Sequence, residues 1–170
     1  MVDVTPDGEI IVAGHTYFNW EFSNFLIFKT DENGTSKWNW TLAYSDVAYA
    51  IRALSTGDIL AVGYSYGYLG FPDFLTLPRF DSEGNDLGYY YYLMPDTNVV
   101  RDALITSNED VIVVGKIQKH GEWEWPEEDV WVLKLDKNAS VKLNKTYDIS
   151  QNDEAWAVAM ASNGDIIVAG

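Results

Sequence analysis

The chain has 170 residues and carries 26 acidic against 11 basic side chains, which gives a formal net charge of −15. Nucleic acids and anionic membrane surfaces bind basic proteins, so neither is an expected partner, and no apolar run is long enough for membrane insertion. The absence of cysteine excludes disulfides, Cys-ligated zinc, iron–sulfur clusters and thiol catalysis. With 47% hydrophobic residues, the chain is expected to form a packed core.

One string of residues occurs four times along the chain. Each copy has polar turn residues, a run of aliphatic residues and a closing glycine, and the copies occupy 7–14, 56–63, 108–115 and 163–170. The closing glycines are 49, 52 and 55 residues apart. Short aliphatic runs between turn residues predict β-strands.

Three further strings recur in phase with the first. The second occupies 25–34, 74–84 and 130–139, the third 37–41, 89–92 and 142–146, and the fourth 47–54, 99–106 and 154–161. The middle copy of the second string carries one extra residue near Pro78, which predicts an edge position or a β-bulge. A period near 50 residues with four short β-type segments is typical of β-propeller blades.

The second repeat defines the strand types A (47–54), B (59–63), C (74–80) and D (87–93). In chain order the strands run BCD, ABCD, ABCD, AB, so the sequence predicts an all-β chain of propeller blades, each of four antiparallel strands. These thirteen strands make about three and a quarter blades. The predicted segment 1–170 divides into a partial blade 1–45, blades 46–96 and 97–150, and a partial blade 151–170. Propellers close with about 4–8 blades, so we expect an incomplete ring or one completed by other copies or the remaining blades of the same protein.

The turns between strands C and D have a distinct composition. Residues 31–34 and 81–84 each begin with Asp and end with Gly, which predicts a type I turn followed by a left-handed glycine. The same Asp-rich pattern resembles the start of a calcium loop, but the distal Glu of an EF-hand is missing. We therefore interpret these segments as turns.

The motifs together resemble the repeats of a known group of proteins. Asp-Gly-x-Ile-Ile-Val-Ala-Gly, Lys-Trp-Asn-x-Thr and Asp-Glu-Ala-x-Ala-Val are similar to the repeats of bacterial and archaeal cell-surface propellers of the quinoprotein-like type. The resemblance implies a propeller fold and an extracellular or cell-surface location. Its members include scaffold proteins, adhesive modules and a few enzymes. The quinone-dependent members imply a cofactor site, often with a cysteine pair, that nothing in this sequence matches.

Aromatic residues concentrate in the three predicted B–C loops, 15–24, 64–73 and 116–129, which would emerge on one face of a propeller. These loops hold 10 of the 25 aromatic residues of the chain. Such rings could form a stacking surface for sugars, a peptide or a cation, or they could be buried against a neighbouring blade. The candidate ligand-binding residues are Tyr17, Trp20, Tyr66, Tyr68, Trp123 and Trp125.

The D–A loops on the same predicted face are acidic. Asp46, Asp96 and Asp153 are the candidate metal ligands, and Ca²⁺ is the cation that clustered carboxylates would hold. The same carboxylates could attract a cationic partner or simply keep the surface solvated. No other cofactor is expected. Two carboxylates at the right separation could also serve a glycosidase.

Four Asn-x-Ser/Thr sequons lie at the predicted C–D turns and outer strands, at Asn33, Asn39, Asn138 and Asn144, where glycosylation would be accessible. The leading hypothesis is a non-catalytic extracellular or cell-surface propeller module with a structural, adhesive or self-assembly role. The second is a module that binds carbohydrate or peptide through its B–C loops. The third is a propeller enzyme, glycosidase-like or quinoprotein-like, but the sequence has no catalytic motif and we expect no enzyme.

Overall fold

The fold is described by a computed structural model for residues 1–18, 22–42, 47–65, 72–94, 98–119 and 127–170. All of its elements are β-strands, and the described residues include no helix that could cross a membrane. The strands are β1 (Val2–Val4), β2 (Ile10–Phe18), β3 (Phe22–Thr30), β4 (Ser36–Leu42), β5 (Val47–Ala53), β6 (Ile59–Ser65), β7 (Phe74–Phe80), β8 (Asp86–Leu93), β9 (Asn98–Ile105), β10 (Val111–Lys119), β11 (Glu127–Leu135), β12 (Val141–Tyr147), β13 (Ala157–Met160) and β14 (Ile166–Ala169).

The strands form consecutive antiparallel sheets, each built from neighbours in the chain. Sheet 1 contains β1–β4, sheet 2 contains β5–β8, sheet 3 contains β9–β12, and sheet 4 contains β13 and β14. The prediction of an all-β chain of four-stranded antiparallel blades is therefore confirmed. The sheets belong to two compact units, residues 1–93 with sheets 1 and 2, and residues 94–170 with sheets 3 and 4.

The first sheet has one strand more than the sequence predicts. Residues 1–9 were expected to contain no A strand, but Val2–Val4 pairs with β2, with Val2 opposite Val12. The N-terminal amino group of Met1 also donates to the carbonyl oxygen of Ala13 at 2.8 Å. A three-residue strand is too short to show an alternating pattern, which is why the sequence did not predict it. The described residues thus contain fourteen strands, three four-stranded sheets and a two-stranded one.

The predicted C–D turns are confirmed. In each of them the Oδ1 atom of the first Asp accepts two backbone N–H groups at 2.8–2.9 Å; these residues are Asp31, Asp81 and Asp136. Gly34 and Gly84 have φ angles of 83° and 84°, the left-handed conformation that glycine adopts without strain. Backbone hydrogen bonding, from Thr35 and from Ser140, lowers the pKa of Asp31 and Asp136. The Asp side chains therefore serve the turns.

The prediction of an extra residue or bulge at Pro78 is wrong. Ile59 and Leu60 pair with Phe80 and Arg79, and Gly63 pairs with Thr76 in the same register, so no residue is inserted in β7. The ladder between β6 and β7 is interrupted at Ala61 and Val62, which face Pro78 and Leu77, because proline has no N–H to donate. Pro78 lies in an inner strand and costs a ladder hydrogen bond rather than a shift of register.

The core of the first unit lies between sheets 1 and 2. Its buried members come from β2 and β3 of sheet 1 and from β5, β6 and β7 of sheet 2, and they are Ile11, Ala13, Phe25, Ile27, Ile51, Ile59, Ala61 and Phe80. Phe80 packs its ring against Trp40 of β4, with ring centroids 4.9 Å apart. Trp38 lies beside them and donates from Nε1 to the carbonyl oxygen of Ser82 at 3.3 Å. The third strand of sheet 2 thus covers the outer part of sheet 1.

The core of the second unit lies between sheets 3 and 4 at equivalent positions. Ile112, Val114, Val132 and Ala155 are buried, and Val130, Leu143, Val158, Ile166 and Val168 pack against them while remaining partly exposed. In both units, apolar side chains of one sheet are therefore removed from water by the next sheet, at about 25 cal/mol per Å² of apolar surface.

Aspartates on the A strands link consecutive sheets. Asp3 of β1 accepts the backbone N–H of Ala53 in β5 at 2.9 Å, and Asp102 of β9 accepts that of Val158 in β13 at 2.8 Å. Each bond satisfies a backbone donor of the following A strand. The two bonds fix how one A strand lies against the next.

In each four-stranded sheet, the acidic residue that precedes the second strand (strand B) also forms an ion pair with a basic residue of the third strand (strand C). These pairs are Glu9–Lys29 at 2.5 Å, Asp58–Arg79 at 2.9 Å and Asp110–Lys134 at 3.0 Å. In sheets 1 and 3 a lysine of strand D joins, Lys37 and Lys142 respectively. Burial would raise the pKa of Asp110, but its hydrogen bonds from Lys142 and Lys134 outweigh burial and lower it.

At Gly115 and Gly170, the closing glycine of the repeated string has a steric cause. The ladder of β9 and β10 shifts register at Gly115, and the same shift occurs in sheet 2 opposite Gly63. A Cβ at Gly115 would overlap the carbonyl oxygen of Val99, and one at Gly170 would overlap that of Glu154. The bulge on strand A brings its backbone so close that only glycine fits.

We predict that Gly115→Ala destabilises the second unit by about 1–3 kcal/mol, the usual cost of overpacking. The matched control is Gly14→Ala, because a Cβ at Gly14 meets nothing within 4 Å. Urea unfolding followed by circular dichroism measures both variants. Equal losses in the two variants would contradict the steric explanation.

We also predict a pH-dependent effect of Asp110→Asn. The pKa of Asp110 is lowered on folding, so its stabilisation is present above the unfolded pKa of about 3.9 and is lost as pH falls through the folded pKa. The variant should be less stable than wild type by about 1 kcal/mol at pH 7, and the difference should shrink below about pH 4. Urea titrations at several pH values test this, with Glu32→Gln, at an exposed turn position of sheet 1, as the control. A difference that grows on acidification would refute the assignment.

Candidate functional site

A cleft of about 640 Å³ lies in the second unit between sheet 3 and sheet 4. Its floor is apolar and its rim is polar. It is lined by Val130, Val132, Leu143, Tyr147, Ile149, Asn152, Asp153, Glu154, Ile166, Val168 and Gly170. A concave, mostly apolar pocket with a few polar groups is the usual form of a binding site.

Comparison with the first unit explains why this space is open. Ile166 and Val168 of β14 occupy the positions of Ile59 and Ala61 in β6, which are both fully buried. In sheet 2 the strand β7 pairs with the far side of β6 and places Phe80 over sheet 1. Among the described residues, sheet 4 consists of β13 and β14, and one side of β14 is open. The cleft therefore coincides with the position that a third strand occupies in sheet 2.

Tyr49 and Arg101 lie at the A-strand bulges of sheets 2 and 3, and Trp156 of the second unit lies at the same distance along the chain from its closing glycine. The Arg101 guanidinium lies 4.6 Å from the ring centre of Trp156, a cation–π contact between residues of consecutive sheets. Arg101 also donates from Nε to Glu154 at 2.5 Å. This contact fixes the start of β13 at the rim of the cleft.

A second ion pair extends this network. Lys116 lies 2.9 Å from Glu128 and 3.6 Å from Glu154, and Gln118 donates to Glu128 at 3.2 Å. The hydrogen bond from Lys116 is the main cause of a lowered pKa for Glu128. The carboxylates of Glu128 and Glu154 are thus paired with Arg101 of β9 and Lys116 of β10.

The metal-ligand prediction is partly outside the described residues. Of the three predicted ligands, Asp46 and Asp96 lie outside the residues that the structure describes. Asp153 lies with Asp129 and Asp148, with one carboxylate oxygen of each within 4.8 Å of the others, a spacing that could hold a cation. Asp153 also accepts the backbone N–H groups of Ile149 and Ser150, both at 2.6 Å, and the Ser150 hydroxyl at 2.7 Å. These bonds give Asp153 a structural role in the turn before β13.

Most of the predicted ligand-binding aromatics, Trp20, Tyr66, Tyr68, Trp123 and Trp125, also lie outside the described residues. Tyr17 belongs to the described residues. It lies near the end of β2, and its side chain is 74% exposed. Its ring meets that of His15 edge-on, with centroids 5.2 Å apart. Tyr17 is therefore available to a ligand.

The sequence did not single out a second exposed aromatic surface, on the outer strand β8. Tyr89, Tyr90 and Tyr91 are between 42% and 49% exposed, and Leu87 and Leu93 at the ends of the strand are more exposed still. Burial, together with the hydrogen bond between Tyr91 and Tyr89, raises the pKa of Tyr91 to about 12. The signal was available, because a run of four tyrosines on an outer strand leaves rings exposed on at least one face.

The outer strands differ in how they are protected from pairing with other chains. Strand β4 carries Lys37, and β12 carries Lys142 and Lys145, whereas β8 has no lysine. Charged residues, especially lysine, discourage edge-to-edge association. The exposed tyrosines therefore lie on the outer strand with the least protection among β4, β8 and β12.

All four sequon asparagines are exposed, Asn33 and Asn138 in turns and Asn39 and Asn144 in outer strands. The Asn144 side-chain oxygen accepts a hydrogen bond from Trp131 Nε1 at 2.8 Å. Glycosylation at these positions stays a prediction.

Comparisons with known proteins support the fold alone. No protein-family model matches the chain, and no curated protein matches it. The solved structures that match include a protein of unknown function from Bacteroides caccae, with a TM-score of 0.60 and 15% sequence identity. The match covers 99% of this chain and 51% of that one, so this chain spans about half the length of the structure it resembles.

We predict that Arg101→Ala destabilises the second unit by about 1 kcal/mol, because it removes the cation–π contact and the pair with Glu154. Tryptophan emission during urea unfolding measures the loss. The control Lys137→Ala removes an exposed pair with Glu109, 3.5 Å apart, and should change stability little. Equal losses of stability in the two variants would show that the Arg101 contacts stabilise the chain no more than an exposed ion pair does.

Proposed function

We propose that the chain is a non-catalytic extracellular or cell-surface β-propeller module with a structural, adhesive or self-assembly role. Its partners would be other copies or the remaining blades of the same protein. The observation that carries the proposal is the run of consecutive antiparallel sheets, in which each unit buries the apolar face of one sheet against the next. Within residues 1–170, β14 has a neighbour on one side, and the next strand of its sheet would come from the remaining blades of the same protein or from another copy.

The apolar side chains at this edge favour association. Ile167 is 54% exposed on one face of β14, and Ile166 and Val168 on the other face are only partly buried. The equivalent residues of sheet 2 are fully buried once β7 is in place. Adding a strand to β14 would therefore bury apolar surface and satisfy backbone groups at the same time.

The net charge of −15 opposes the approach of identical chains. Salt screens this repulsion over about 10 Å at 0.1 M ionic strength and leaves apolar contacts intact. Association through the β14 edge should consequently strengthen when the ionic strength rises.

We predict that the purified 170-residue chain self-associates, and that Ile167→Lys weakens this association by placing a charge on the open edge. Sedimentation velocity over a range of concentrations and salt measures it. The control is Met160→Lys, which adds the same charge on β13, at a side chain that is 40% exposed.

Two results would overturn the proposal. A monomer at every concentration and salt would exclude association by the isolated chain. Hydrolysis of a glycan or oxidation of an alcohol by the purified chain would favour an enzyme instead, glycosidase-like or quinoprotein-like.

A second candidate function is the binding of carbohydrate or peptide, and the exposed rings of Tyr17 and of β8 favour it. Tyrosine offers a flat apolar face and a hydroxyl that can hydrogen-bond, the combination used in recognition surfaces. The B–C loop aromatics, among them Trp123 and Trp125, would add to such a surface in this proposal.

Two variants separate the possible surfaces. If the B–C loops bind, the double variant Trp123→Ala/Trp125→Ala should abolish oligosaccharide binding with nearly unchanged melting temperature. If β8 binds, Tyr90→Ala should weaken binding instead. Glycan-array binding and calorimetry measure both, and unchanged binding in both variants would exclude these two surfaces.

A further inference from the structure

The turns between the third and fourth strands of sheets 1 and 3 have matching backbone hydrogen bonds. In each turn an asparagine, Asn33 or Asn138, donates its backbone N–H to the Oδ1 atom of the first Asp at 2.9 Å. The residue that follows donates its N–H to the carbonyl oxygen of the same Asp at 3.0 Å. This residue is Gly34 in sheet 1 and Ala139 in sheet 3, with φ angles of 83° and 61°. The two turns therefore form a matched pair that differs in the residue after the asparagine.

An asparagine that precedes glycine can react with its own backbone. The backbone nitrogen of the glycine attacks the side-chain carbonyl carbon, so that a new C–N bond forms, the bond to the amide nitrogen breaks, and ammonia leaves with the proton of the glycine N–H. Water then opens the resulting cyclic imide at either carbonyl carbon and gives aspartate or isoaspartate. Glycine favours the attack because it has no Cβ beside the attacking nitrogen and because its backbone is conformationally free.

The side chain of Asn33 is well placed for this reaction. Asn33 and Gly34 are both exposed, at the tip of the hairpin formed by β3 and β4. Within the described part of the chain, the Asn33 carboxamide makes no hydrogen bond. The bond that must open is the one from the Gly34 N–H to the carbonyl oxygen of Asp31, and opening an exposed turn costs little free energy.

The chain contains a second Asn-Gly step, Asn163-Gly164, which is also exposed. Here the side chain is held, because Asn163 Oδ1 accepts the backbone N–H of Asp165 at 3.2 Å. The carboxamide must lose this bond before its carbon can meet the nitrogen of Gly164. Asn163 should consequently react more slowly than Asn33.

We infer that Asn33 is a site of spontaneous covalent modification, where loss of the side-chain ammonia converts the residue to aspartate or isoaspartate before Asn163 or Asn138 reacts. The inference goes beyond the proposed function and does not depend on it. It assigns to the first C–D turn a chemical change that the equivalent turn of sheet 3 resists through the Cβ of Ala139.

The modification would change both the turn and its chemistry. Isoaspartate adds a carbon to the backbone, so the N–H groups of Gly34 and Thr35 would no longer both reach Asp31, to which they now donate at 3.0 and 2.8 Å. Either product places a carboxylate next to Glu32. Either product also removes the amide nitrogen that glycosylation at Asn33 would use, so the two modifications exclude each other.

The test follows the 170-residue chain over time in mildly alkaline buffer, because the attacking nitrogen must lose its proton. Digestion at acidic pH and mass spectrometry measure amide loss at each asparagine, and an isoaspartyl methyltransferase assay measures isoaspartate. We expect amide loss at Asn33 to be at least about tenfold faster than at Asn138, and faster than at Asn163.

A reciprocal exchange of the two turn residues tests the cause. Gly34→Ala should slow amide loss at Asn33 to the rate seen at Asn138, and a Cβ at Gly34 meets nothing within 4 Å. Ala139→Gly should raise the rate at Asn138 to that of Asn33. Circular dichroism shows whether both variants fold. If Gly34→Ala does not fold, Ala139→Gly decides alone, since glycine adopts a positive φ without strain.

Three results would overturn the inference. They are equal rates at Asn33 and Asn138 in the wild-type chain, a rate at Asn163 that equals or exceeds that at Asn33, and an unchanged rate at Asn138 in the Ala139→Gly variant.

Discussion

The structure depends on the burial of one sheet's apolar face by the next sheet. A single four-stranded sheet cannot remove both of its faces from water, and a two-stranded hairpin alone is marginally stable. In the first unit this burial is complete around Ile59 and Ala61, because sheet 2 has its third strand. In the second unit the same contact is made by β13 and β14, and the space of the third strand is the cleft. In our proposal, the strand that would fill this space comes from another copy or from the remaining blades of the same protein.

Polar contacts define the geometry of this burial. The aspartates Asp3 and Asp102 tie one A strand to the next, and the acid before strand B holds a base from strand C. Individually, partly exposed pairs of this kind contribute about 1 kcal/mol or less. The pairs recur at the same register in sheets 1, 2 and 3, with the base opposite the second residue of the second strand in each.

The sequence predicted what is local and repeated. The strand β7 was predicted with its exact bounds, 74–80, and the turns at Asp31 and Asp81 with their left-handed glycines. These features depend on residues within a few positions of one another, so composition and spacing reveal them. The three-residue strand β1 has too few residues for a pattern. The extra residue near Pro78 arose because the middle copy was started at Phe74, whereas Leu75, opposite Tyr64, takes the position of Phe25, opposite His15.

The site could be predicted only in outline. Asp153 was chosen for its charge, but its neighbours Asp129 and Asp148 come together only through the fold. The Asp3–Ala53 bond joins residues 50 positions apart, and no local pattern indicates such a partner. The closing glycines were used as markers of the repeat, whereas their cause, the close backbone of the A-strand bulge, required coordinates.

Hydrogen–deuterium exchange of the backbone amides of β14, measured at low and high chain concentration, tests the central claim most directly. If β14 pairs with another chain, its amides should exchange rapidly in dilute solution and become protected as the concentration rises, while those of β6 stay protected throughout. Exchange at β14 that is independent of concentration, in samples that sedimentation shows to be associated, would contradict the account.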